Sequence, residues 1–301
     1  MTRYGRQNML SHAELLSLAA RLTDDRPFLG PVRNRILRYG APLGCRITHH
    51  HTLLRCMDLL RDRALAEKAP VPVTGEVVRA DRLTGGQGRF GRHWYAPRGG
   101  LHLAFLWADT LLPEWSRFLP FAVGIACCET IRACGLEAGL KWVNDVQIRG
   151  RKISGILTET IIGPQGDRYH LIGIGLNINV VQFPAELHGR ATSLQLETGQ
   201  PHGMDVIFTH LLARLQWNIG LLCYGEEQGL CEAIGPGENP VLLRWQELGD
   251  SMGRRVVFGY DAQKKPLYEG IVTGLDEQGG LVLRLDDGSS ITEYSGEIEY
   301  L

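Results

Sequence analysis

The chain has 301 residues, which suggests two domains at about 150 residues each. Hydrophobic residues make up 44% and charged residues 22%, which excludes a largely disordered chain. A formal net charge of -1 argues against a globally basic nucleic-acid binder and leaves room only for a local basic patch.

Residues 11–22 (SHAELLSLAARL) predict a helix, with Ser11 and Glu14 spaced as a capping box. The stretch 23–41 holds Pro27, Gly30, Pro31 and Gly40 and is expected to break regular structure repeatedly. A short strand at 45–50 and a helix near 52–67 follow. Another apolar segment, from Val77-Val78, leads into a glycine- and arginine-rich loop at 82–100. LHLAFLW (101–107) predicts a buried strand, and 121–135 a helix closed by Gly135. Short segments at 139–142, 145–149, 152–161 and 168–178 predict strands of one antiparallel sheet. Pro184 to Pro201 is a polar connection, 204–223 is helical by its apolar spacing, and a short helix near 241–249 follows the breaker GPGENP. Five alternating segments in 252–301 predict a small β-barrel. The expected organisation is an N-terminal helical extension (1–40), an α+β catalytic domain (41–240) and a barrel (250–301).

No apolar run reaches the 18 or so residues of a membrane span, and MTRYGRQNML lacks the apolar core of a secretory signal. The cysteines at 45, 56, 127, 128, 134, 223 and 231 contain no C-x-x-C pair. A reduced, cytoplasmic protein with no membrane attachment is expected. Residues 1–40 offer one clear helix where a helix-turn-helix needs two, so no specific nucleic-acid binding is expected.

Four stretches carry chemistry. In TGGQGRFGRHWYAPRGG (84–100) glycines allow close backbone approach beside arginine forks, which suits a phosphate or another polyanion. Its spacing matches neither the Walker nor the dinucleotide pattern, and a solvated basic loop is the bland alternative. In KWVNDVQIRGRKISGILTET (141–160) Lys152 opens a strand beside an apolar run, where it needs an anionic partner or solvent. In IGIGLNINV (172–180) Gly173, Gly175 and Asn177 share one face of a strand and leave room for a ligand or another backbone. In THHHT (48–52) two histidines share a face, but no nearby acid or cysteine completes a metal set, so no metal site is expected.

Taken together, these stretches resemble the biotin protein ligases over roughly 41–301. The resemblance rests on Gly86-Gln87-Gly88-Arg89-Phe90-Gly91-Arg92-His93-Trp94, then Ala96-Pro97 and Gly99-Gly100-Leu101. It continues in Lys141-Trp142-Val143-Asn144-Asp145, Arg151-Lys152-Ile153-Ser154-Gly155-Ile156-Leu157 and Gly173 to Asn177. It implies a mixed, mainly antiparallel sheet with helices packed on it, similar to class II aminoacyl-tRNA synthetases, plus a small C-terminal SH3-like barrel. It implies adenylation of biotin by ATP, with Mg²⁺ as counter-ion, and transfer to a lysine of a biotin carboxyl carrier protein or domain. A homodimer would be consistent with relatives.

By the same resemblance Lys152 would sit between the carboxylate and the α-phosphate, and Arg89 would hold the acyl-adenylate. Arg92, Asn144, Asp145 and Asn177 would place ATP. His51, Thr52, Leu53, Leu83, Gly86, Gln87, Gly88, Trp94 and Gly155 would bind the acid. The departures concern the ring end: His51-Thr52-Leu53 replaces Ser-Thr-Asn, Leu83 a glutamine, and Gln87 an arginine. Val143 also replaces a proline. Two other readings stay open, a same-fold adenylating enzyme for another carboxylic acid and a non-catalytic small-molecule-binding relative.

Overall fold

The computed structural model describes residues 11–23, 28–66 and 72–301. Pro27, the first ten residues of the expected extension and position 67 of the helix expected near 52–67 lie outside them.

Ser11 caps α1 (His12–Leu22), and the Glu14 carboxylate accepts from Ser11 N at 2.7 Å. The next segment departs from expectation, because Gly30–Gly40 forms a second helix, α2. Pro31 lies in its first turn, where a missing N–H costs no internal hydrogen bond. Gly40 explains its docking on α7 (Met204–Leu230), since a Cβ there would lie 1.7 Å from Gln216 O. Only a bare backbone lets the two helices approach this closely. Leu15, Ala19 and Ile36 are buried in the main core, so both N-terminal helices are part of it.

The remaining elements follow in chain order. They are β1 (Ile47–His50), α3 (Cys56–Leu65), β2 (Val77–Ala80), β3 (Gly100–Ala108), α4 (Pro113–Ser116), α5 (Leu119–Arg132), β4 (Gly139–Lys141), β5 (Asp145–Ile148), β6 (Arg151–Ile162) and β7 (Arg168–Asn177). A short α6 (Leu194–Thr198), the long α7 and α8 (Pro240–Leu248) lead to β8 (Arg255–Gly259), β9 (Tyr268–Leu275), β10 (Leu281–Arg284), β11 (Ser290–Glu293) and β12 (Glu297–Tyr300).

The larger sheet has the order β1-β2-β3-β7-β6-β5-β4 and is antiparallel except for the β1–β2 pair. Strand alternation divides its faces. Leu103 and Phe105 of β3 and Ile172, Ile174 and Leu176 of β7 pack under α5 and α7. Ala104, Leu106 and Leu171 face the other way, under α3. Gly173 and Gly175 lie on this α3 side, and there the sheet is left open. β8–β12 form a separate five-stranded antiparallel sheet, order β11-β10-β9-β8-β12. It docks beside the open face, where Trp142 Nε1 donates to Gly279 O at 3.2 Å. Among the described residues one helix, α7, is long and apolar enough to cross a membrane, and 72% of its most apolar window is buried inside the protein. It packs as a core helix of the larger sheet's layer.

Candidate active site

The open face forms a cavity of about 350 Å³. Its floor is a row of glycines, with Gly155 opposite Gly175 and Leu157 opposite Gly173 in the β6–β7 register. A Cβ on Gly175 would lie 2.4 Å from Trp94 Cε2, and one on Gly173 would lie 2.7 Å from Met57 Sδ. The indole therefore lies directly on the sheet backbone, as larger floor residues would prevent.

Trp94 is held by a loop that folds back on itself. Trp94 N donates to Gly86 O at 2.9 Å, Gly88 N donates to Arg92 O at 2.8 Å, and Gln87 bridges to His93. A side chain at Gly86 would strike Trp94 O at 2.6 Å, so this turn needs glycine. The loop is also tied to the small sheet. Arg89 donates to Gly296 O at 2.9 Å, and the Arg92 guanidinium pairs with Glu297 at 2.8 Å.

Lys152 reaches the cavity because of a bulge. Val146 pairs with Ser154 and Gln147 with Lys152, which leaves Ile153 as the extra residue. In a regular strand, positions 152 and 155 point to opposite faces. The bulge reverses one of them. Lys152 Nζ then lies 2.6 Å from Asp145 Oδ1 and 5.5 Å from the Trp94 ring centre. Asn144 Nδ2 donates to Ile156 O at 2.7 Å, which fixes the turn carrying Asp145.

The two ends of the cavity differ in charge. Arg89, Arg92, Lys141 and Lys152 gather at one end, where Asp145, Glu297 and Glu299 partly offset them. Burial lowers the Arg89 pKa, although Asp145 and Glu297 oppose the shift. The hydrogen bond that Arg92 donates to Glu297 raises the Arg92 pKa. Arg55, Cys56, Met57, Leu83 and Leu157 form the other end. Burial pushes the Cys56 thiol up to about 12, which makes it a poor nucleophile. Trp94 Nε1 and Asn177 Oδ1 are buried along the cavity without a hydrogen-bond partner.

Of the residues singled out in the sequence, the structure brings Leu83, Gln87, Gly88, Arg89, Arg92, Trp94, Asn144, Asp145, Lys152, Gly155 and Asn177 to the cavity wall. Gly86 lies behind Trp94. The expectation for positions 51–53 needs correction. His51 is 88% exposed and bonds to Asp81 at 2.9 Å, while Thr52 is exposed, and Leu53 pairs with Leu83 but does not itself line the cavity. The physical reason is that α3 starts at Cys56, so the wall is built from its first turn. Arg55, Cys56, Met57, His102, Glu297 and Glu299 were not anticipated. Among the described residues no group of three or more His, Cys, Asp and Glu side chains could hold a metal ion.

Residues 60–179 match the biotin/lipoate A/B protein ligase family, and residues 252–300 match the biotin protein ligase C-terminal domain. The chain is 31% identical over 227 residues to a biotin--[acetyl-CoA-carboxylase] ligase of Paracoccus denitrificans, an alignment that covers 71% of this chain and 86% of that protein. It is 30% identical over 233 residues to a bifunctional ligase/repressor of Bacillus spizizenii, covering 75% of this chain and 66% of the relative. The chain thus spans just under two thirds of the length of that relative. Among solved structures, a biotin protein ligase from Aquifex aeolicus in complex with biotin and ATP superposes with a TM-score of 0.66 at 25% identity, covering 85% of this chain and 98% of that one.

Proposed function

The chain belongs to the biotin/lipoate A/B protein ligase family, and on that premise we propose that it activates biotin with ATP and passes the acyl group to a lysine of a carrier protein. One observation carries this reading. A glycine-floored slot under Trp94 leads from an apolar pocket to a cluster of four cations. That is the shape needed for an acid whose tail must meet a triphosphate.

In the first step a carboxylate oxygen attacks the α-phosphorus, the bond to the β-phosphate oxygen breaks, and pyrophosphate leaves. In the second, the carrier amine attacks the acyl carbon, the bond to the phosphate oxygen breaks, AMP leaves, and the amine loses a proton. Neither step needs a protein nucleophile. The protein contributes orientation and charge stabilisation.

Lys152, in reach of both Asp145 and the slot, stabilises charge on the carboxylate and α-phosphate. Arg89 holds the adenylate at the junction with the small sheet, and Arg92 exchanges Glu297 for the outer phosphates. Asn144 and Asn177 set the cavity wall that ATP meets. Asp145 would be the carboxylate that holds the Mg²⁺ of ATP, a cation bound through one or two carboxylates together with substrate phosphates. When bound, the ion neutralises phosphate charge. Trp94 and its loop exclude water from the mixed anhydride. The carrier would be a biotin carboxyl carrier protein or domain, and the site of action the cytoplasm.

Calorimetry with biotin and lipoate, each with and without ATP, tests the reading. Biotin is expected to bind, and more tightly with ATP present. Binding of lipoate but not biotin would move the reading to another acid, and binding of neither would remove it.

A further inference from the structure

A second cavity, of about 480 Å³, adjoins the slot at β5, where Gln147 and Gly150 line both. Three elements each bring it one guanidinium. Arg132 is the last residue of α5, Arg149 lies in the turn between β5 and β6, and Arg254 stands just before β8. Much of their hydrogen-bonding capacity is unused. Arg132 Nε donates to Ala138 O at 2.7 Å, which leaves its Nη groups to spare. Arg254 lies over the Tyr300 ring, 3.4 Å from its centre, and stacking leaves the in-plane N–H groups of a guanidinium free. Among the described residues none of the three is paired with a carboxylate, whereas Arg92, Lys141 and Lys152 of the slot each are.

Two carboxylates, Glu137 and Asp250, stand against these three cations. Asp250 is already engaged. Its Oδ1 accepts from the Tyr300 hydroxyl at 2.6 Å and its Oδ2 from Gln147 Nε2 at 2.8 Å. The cavity thus holds an excess of positive charge. Arg149 adds an independent sign. Its φ is 50°, and Gly150 follows at 76°. Two successive positive φ values make the tight hairpin turn that favours Asn-Gly. Arginine at the first of these positions is strained, and such strain collects where function requires a particular side chain.

We propose that this cavity is a second anion site, suited to a diphosphate, which receives pyrophosphate as it leaves the slot. Three planar forks match two linked phosphate groups, each able to accept bidentate hydrogen bonds. The border at Gln147 and Gly150 is the shortest passage between the two cavities. The source of the anion rests on the adenylation reading of the slot, but the affinity of the cavity for pyrophosphate does not.

The test titrates pyrophosphate by calorimetry into the full chain, with the slot filled by saturating ATP and no acid present. Wild type is compared with Arg149→Asn and with the triple variant Arg132→Gln, Arg149→Asn, Arg254→Gln. Asparagine tolerates a left-handed backbone better than arginine, so Arg149→Asn should melt no lower than wild type while pyrophosphate binding weakens about 3- to 10-fold. The triple variant should weaken it roughly 30-fold or more with ATP affinity unchanged. Inorganic phosphate should bind wild type more weakly than pyrophosphate. In rapid mixing of ATP with biotin, the triple variant should form adenylate at the wild-type rate and release pyrophosphate more slowly. Equal pyrophosphate affinity in wild type and triple variant, or no binding to wild type filled with ATP, overturns the site. Unchanged release overturns its role in product exit. If wild type binds pyrophosphate here but forms no adenylate from biotin, it is the reading of the slot that fails.

Discussion

Gly175→Ala is the smallest change that addresses the slot directly. The added methyl would lie 2.4 to 2.6 Å from three atoms of the Trp94 indole. Gly175 lies two residues before the end of β7 and is paired on both sides, so its backbone is held in place. Alanine is acceptable to a strand, so folding should be largely preserved and the indole must move instead. Overpacking of this kind costs roughly 1–3 kcal/mol. If that cost falls on the loop-closed state, acid binding weakens about 5- to 150-fold. Gly155→Ala is a graded control, because its nearest contacts are Lys152 Cε at 3.0 Å and Trp94 Cζ3 at 3.2 Å, and the lysine end can shift. Biotin affinity by calorimetry, with circular dichroism as the folding check, should rank wild type above Gly155→Ala above Gly175→Ala. A folded Gly175→Ala protein with wild-type affinity would show that Trp94 does not close the slot.

Three further outcomes follow from particular contacts. Glu297→Ala should release Arg92, increase proteolytic cleavage within 84–100, and make that cleavage strongly suppressible by ATP with biotin; unchanged cleavage would show that the small sheet does not hold the loop. Burial alone would raise the Asp81 pKa, but hydrogen bonds from His51 and His49 outweigh it and bring the value below 3.8. Asp81 therefore stabilises the fold above that range and loses its contribution as pH falls through the lowered value; thermal melts of wild type and Asp81→Asn should converge in acid and separate near neutrality. Cys231 is exposed, whereas burial pushes the thiols of Cys56, Cys127, Cys128 and Cys223 up to about 12. Alkylation of the native protein near pH 8 should mark Cys231 well before those four, and mass mapping of peptides would reveal any other order.

The comparison between sequence and structure separates what spacing encodes from what packing encodes. Strand alternation alone places Gly173, Gly175 and Asn177 on one face, and that face is the cavity floor. The loop from Gly86 to Trp94 is legible as a motif because its glycines and arginines match the resemblance in order and spacing, while composition alone also fits a solvated basic loop. Helix α2 was not visible, because Pro31 reads as a breaker, and its docking depends on Gly40 meeting the distant Gln216. Lys152 and Gly155 share the slot through a bulge at Ile153, which strict alternation hides. The resemblance to a three-residue motif points to His51, yet the first turn of α3, which begins five residues later, supplies the wall. The glutamates of β12 pair with Arg92 and Lys141 across more than 150 positions, and no local pattern announces such a contact.

On the proposed function, Lys152 and the arginines beside it join an acid to ATP. The most direct measurement is pyrophosphate release from ATP and Mg²⁺ on addition of biotin, by wild type and by Lys152→Ala. The account predicts biotin-dependent release by wild type and almost none by a folded Lys152→Ala that still binds biotin. Release by Lys152→Ala at the wild-type rate, or none from wild type with biotin present, would contradict it.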